Sequence, residues 1–225
     1  MKDKKTLHTI LNIVLFGAIW GLLEATAGYL FHWLPGMVSG AIMVPIGSVL
    51  MFWGYKNTGK RTAIIYIAII AAAIKAVNFA MPLPPIGPIK IYNPMISIII
   101  ESLVVYSVSF LFERKTSSAK STLMQVGSLA LVIVGWRALF LANLGISFAI
   151  TGKLDVQLQS LQNALSFVFY NGMFEFFILG LFYVVYRLGS YLLATNNIRI
   201  KSPNWLTYIL SPLTLIGAVL AVILL

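Results

Sequence analysis

Cysteine is absent from this chain of 225 residues, which excludes disulfides, thiolate metal sites and cysteine nucleophiles. Histidine is nearly so: His8 and His32 are too few for an HExxH zinc site, and they complete no Ser/His/Asp set. Charge is scarce as well. Only 10% of residues are charged and six are acidic, whereas 60% are hydrophobic. A soluble domain carries far more charge than this, so the composition is that of an integral membrane protein.

What the chain does have is long apolar runs. Seven stretches approach the roughly 20 residues that cross a bilayer core: 10–34, 38–55, 62–81, 94–112, 123–149, 164–193 and 205–225. The first is too long, and too soon followed by the second, for a cleaved signal peptide, and it is expected to remain in the mature protein. The pattern predicts an all-α, polytopic helical bundle forming one membrane domain over residues 1–225. In it, six spans over 10–193 make a core and 205–225 adds a seventh, C-terminal helix.

The basic residues orient this bundle. Lys2, Lys4, Lys5, Lys56, Lys60, Arg61, Arg114, Lys115, Lys120, Arg187, Arg199 and Lys201 fall on one side, and only Lys90 and Lys153 on the other. Lysine and arginine collect on the cytoplasmic side, so the amino terminus is expected inside the cell and the carboxyl terminus outside, in the cell membrane. The same asymmetry accounts for the net charge of +10 without nucleic acid, and favours contact with anionic lipids.

Lys75 and Arg137 lie within spans, together with Glu24, Glu101 and Glu175. Helical rise places Glu101 about 10 Å and Glu175 about 16 Å below the outer edge, with the other three about 20 Å above the cytoplasmic edge. Asn78, Asn143 and Asn171 lie at similar or shallower levels, and Asn171 shares a face with Glu175. Isolated charges are not tolerated there, whereas converging ones are, so these residues are expected to line a polar cavity that opens outward. Two structural ion pairs that fix helix register are the plainer alternative.

Other signatures carry less. The segment from Gly54 to Arg61 nearly matches a phosphate-binding loop, but Arg61 stands where serine or threonine is required, so it reads as a cytoplasmic turn. Glu24, Glu101 and Glu175 are few for an oxygen-ligand metal site, and neither a metal nor a cofactor is expected. The outer loops around Phe31 to Gly36 and Met81 to Pro94 are expected to be interfacial connectors or lids, the second stiffened by its prolines.

On the first span, Gly17, Gly21 and Ala25 form a small-xxx-small stripe where another helix can approach closely. This stripe resembles the Ala-x-x-x-Ala type motif of the substrate-binding membrane subunits, or S components, of energy-coupling factor transporters. The resemblance covers roughly residues 10–193. It implies a six-span fold, docking of the stripe onto a transmembrane coupling subunit driven by two ATPase subunits, and a vitamin site gated by outer loops. Glycine in place of alanine, Glu24 within the stripe and the seventh span depart from that pattern.

The resulting expectation is a non-enzymatic subunit that binds a small water-soluble nutrient, a vitamin or its precursor, for uptake. Glu24, Lys75, Asn78, Glu101, Trp136, Arg137, Phe140, Asn143, Asn171 and Glu175 would form its site, with Trp136 and Phe140 flanking a ring. An autonomous carrier coupled to protons or sodium is the alternative. An intramembrane enzyme that uses a glutamate on a lipid is a third.

Overall fold

The computed structural model describes residues 2–31, 36–80, 89–113, 118–195 and 204–224. Its regular structure is all helical, with no strand among the described residues. In chain order the helices are α1 (Lys2–Phe31), α2 (Gly36–Thr58), α3 (Ala63–Ala76), α4 (Ile89–Val108), α5 (Ser118–Thr151), α6 (Leu161–Leu165), α7 (Asn171–Thr195) and α8 (Asn204–Leu224). A π-helical turn at Ser166–Tyr170 joins α6 to α7 without a break.

Among the described residues, each apolar stretch of the sequence is helical, with short 3-10 turns after α3 and α4. Four segments among the described residues are long and apolar enough to cross a membrane: Lys4–Ala27, Ile91–Leu111, Val126–Thr151 and Leu161–Val185. Shorter apolar helices occupy Ala63–Phe79 and Ile209–Val219. The segment with the near-match to a phosphate loop is the end of α2 and a turn. Gly59 adopts φ 66° and donates its N–H to the Tyr55 carbonyl at 2.8 Å, a left-handed helix stop that glycine supplies without strain. Both outer connectors fall largely outside the described residues, at 32–35 and 81–88.

Helix α1 packs against α2, α3 and α8. A Cβ on Gly17 would stand 2.7 Å from Ile70 Cβ, and one on Gly21 2.7 Å from Ile74 Cδ1. The numbering offset is the same at both contacts, so α1 and α3 run parallel. Helix α8 also runs parallel to α1: Ser211 Oγ donates to the Leu11 carbonyl at 2.6 Å, and Ala218 joins a cluster with Ala18, Ala25 and Ile74. Helix α2 runs the other way, with Gly47 under the Trp20 ring and Gly54 near Phe16. The core around them is built on Trp20, Met51, Ile64 and Ile67, all essentially inaccessible.

This packing gives the small-residue stripe neighbours within the chain. Gly17 and Gly21 are covered by α3, and Ala25 is buried with Ala218 of α8. The face assigned to a partner subunit is filled by the chain's own helices. Ile70 and Ile74 press so close that even a methyl group is too large, which is why glycine stands there and not alanine.

Candidate functional site

The site residues of α5 and α7 come together around one ion pair. Gly172 lets the α7 backbone approach α5, since a Cβ there would lie 3.3 Å from Ile133 and 3.8 Å from Arg137 Cδ. One turn further on, Glu175 Oε2 accepts from Arg137 Nε at 2.9 Å and from Trp136 Nε1 at 3.1 Å. Arg137 Nη1 donates to the Phe167 carbonyl at 2.7 Å. That carbonyl belongs to the π-helical turn, whose wider hydrogen bonding is shown by Asn171 N–H reaching the Ser166 carbonyl.

Aromatic rings enclose the pair. The guanidinium lies 5.0 Å from the Trp136 ring and 4.8 Å from the Phe167 ring. Trp136, Phe140 and Phe167 pack against one another in tilted and edge-to-face arrangements, with centroids about 6 Å apart. Arg137 and Glu175 are 2% and 0% exposed, so both charges are held out of solvent and matched by each other. Three buried polar atoms nevertheless lack partners: Glu175 Oε1, Asn171 Oδ1 and Asn143 Nδ2. Asn171 and Glu175 share a face of the helix, as their spacing predicts.

A second group joins α1 to α3. Lys75 Nζ donates to the backbone carbonyl of Glu24 at 3.1 Å, and its charge acts on the Glu24 carboxylate. The parallel register of α1 and α3 dictates this match, and Arg137 is engaged elsewhere. Trp20 lies beside Glu24, with its indole N–H close enough to act on the carboxylate but outside ideal hydrogen-bond geometry. Asn78 is buried one turn beyond Lys75.

Glu101 lies between the two groups. Its Oε1 accepts from Ser48 Oγ on α2 at 2.8 Å, and it is within electrostatic reach of both Glu175 and Glu24. Its hydrogen-bond partner is a hydroxyl and not a cation. The three glutamates do not gather into a metal-holding group among the described residues.

An open volume lies apart from these polar groups. A cavity of about 520 Å³ is lined mainly by aliphatic and aromatic side chains of α2, α4, α5 and α7, including Val105, Val132 and Leu179. None of the ten expected site residues lines it. It lies toward the Lys56 end of α2, the end that leads into Lys60 and Arg61. Ser48 connects the two regions, since it lines the cavity and also bonds Glu101. The polar groups have drawn one another into close contacts and left the open volume to apolar residues, because a buried charge gains more from a partner than from an empty space.

Sequence reasoning missed Ser48, Trp20 and Phe167. A serine or tryptophan in an apolar helix carries no distinctive pattern, and Phe167 contributes a carbonyl exposed by a local change of helix type. The chain matches no protein-family model, no curated protein and no solved structure.

Proposed function

We propose that this chain is a multi-pass protein of the cell membrane that binds a small water-soluble organic solute at the Arg137–Glu175 cluster and takes part in its uptake. The observation that carries the reading is the unpartnered Glu175 Oε1 of the ion pair, together with two further buried atoms without partners, Asn171 Oδ1 one turn before it on α7 and Asn143 Nδ2 further along α5. Unmet donors and acceptors at that depth are costly unless a ligand or water meets them. The neighbouring rings of Trp136, Phe140 and Phe167 suit a ligand with a flat ring, such as a vitamin or its precursor.

Seven crossings fit this reading, with the amino terminus cytoplasmic and the carboxyl terminus outside. The parallel course of α1 and α8 supports it, because an odd number of crossings sends the first and last helices the same way. Energy from two ATPase subunits through a coupling subunit, as in S components, remains part of the proposal. Such a partner would meet a face other than Gly17, Gly21 and Ala25.

A panel of vitamins and precursors tested for saturable binding to the purified protein examines this directly. One compound is expected to bind, and Glu175→Gln to weaken it. An absence of saturable binding across the panel overturns the proposal. The environment of Glu101 favours a second reading, an ion-coupled carrier, since a buried carboxylate bonded to a hydroxyl, with Glu24 and Glu175 in electrostatic reach, invites a proton or a cation. Uptake into proteoliposomes that follows a pH gradient without ATP would select it.

A further inference from the structure

The cavity between α2, α4, α5 and α7 has no place in the solute site, and its dimensions and chemistry point to a different ligand. Along α2 it extends from Ile46 to Lys56, which at the helical rise is about 15 Å. The hydrocarbon core of a bilayer is about 30 Å thick, so the cavity spans about one leaflet. Its walls are mainly apolar, with Trp53 and Tyr183 among the aromatic side chains and two residues that mark its ends. Ser48 sits toward the deep end, and Lys56 marks the other end, its ammonium 5.1 Å from the Phe52 ring that also lines the cavity.

We infer that this cavity holds one acyl chain of an anionic glycerophospholipid from the leaflet facing the basic loops, with the headgroup phosphate at Lys56. Charge complementarity selects the occupant. Lys56 is the one cationic side chain in the lining among the described residues, and the following turn adds Lys60 and Arg61, so a negative headgroup is attracted to the mouth. Val105, Val132 and Leu179 offer the entering chain an aliphatic wall. Its methyl end reaches the level of Ser48, directly beneath the Glu101 carboxylate. The occupied groove joins α2 to α7 through lipid, below the polar layer.

The test uses the full chain in nanodiscs of phosphatidylcholine containing a phosphatidylglycerol with a photoactivatable diazirine at the end of one acyl chain. Labelling is expected to concentrate on Val105, Val132 and Leu179, and unlabelled phosphatidylglycerol should compete several-fold better than phosphatidylcholine. Leu129→Trp, which fills the groove from a half-buried position, should reduce labelling several-fold, and Lys56→Gln should abolish the headgroup preference while leaving the fold intact by circular dichroism. Labelling spread evenly over exposed positions such as Phe177 and Leu181, unchanged by Leu129→Trp, would mean an annular lipid only and overturn the inference. Equal competition by the two lipids, or a preference that survives Lys56→Gln, overturns it as well. Because Lys56 and Leu129 are remote from Arg137 and Glu175, solute binding can fail or succeed independently of this outcome.

Discussion

Arg137 and Glu175 face each other across 2.9 Å, yet only one oxygen of the carboxylate is engaged, and Oε1 is left over. A pair that merely fixed helix register would be replaceable as a unit. Glu175→Ala is expected to destabilise the protein by about 3–5 kcal/mol, since it strands a buried guanidinium. The double variant Arg137→Met, Glu175→Leu should recover much of that loss in thermal unfolding, because matched apolar residues substitute well for a buried pair. If the pair also holds solute, the double variant will fold and bind nothing. Normal binding by it would reduce the pair to a fastening between α5 and α7.

The glycines of the bundle should divide by what lies above them. Gly21→Ala places a Cβ 2.8 Å from the Ile74 Cβ, a branch point that moves only if α3 moves, and overpacking of this kind costs about 1–3 kcal/mol. Gly127→Ala in α5 meets nothing within 4 Å and should be neutral or stabilising by up to about 1 kcal/mol, from helix propensity. Thermal unfolding of the two single variants in one detergent decides it. Equal behaviour would mean that the stripe on α1 is not a packed seam.

Long apolar runs located the helices, because a backbone surrounded by apolar side chains has to satisfy its hydrogen bonds internally. They could not say which side chains meet. The glycine stripe was legible as a close-approach face, but its occupant depended on α3 and α8, whose register against α1 no local pattern encodes. Arg137, Asn171, Glu175 and Trp136 were legible as a group because polar atoms in an apolar run have few places to go. Ser48 and the Phe167 carbonyl were not, since one is a common residue and the other a backbone atom released by a π-helical turn.

Ser48 contributes the one hydroxyl bonded to Glu101. Ser48→Ala should therefore cost about 1–3 kcal/mol, the penalty of leaving a buried acceptor unmatched. Glu101→Leu in the same chain should relieve most of it, so a double-mutant cycle is expected to give a clearly non-additive result. Additive losses would place the effect in the wall of the apolar cavity, which Ser48 also lines.

Helix α8 is seated on α1 by small residues, and its attachment should be sensitive to size at one position. Ala218 is fully buried against Ala18 and Ala25, so Ala218→Leu forces the helices apart and should cost about 1–3 kcal/mol. Leu213, with 59% of its surface exposed on the same helix, should accept alanine with little change. Amide exchange provides the sharper reading. If α8 is an integral part of the bundle, Ala218→Leu will raise exchange in α8 and also along the Leu11 to Ala25 face of α1, because Ser211 ties the two together through the Leu11 carbonyl. Faster exchange confined to α8 would make it an appendage that the other helices do not need, and would return the α1 face to availability for a partner.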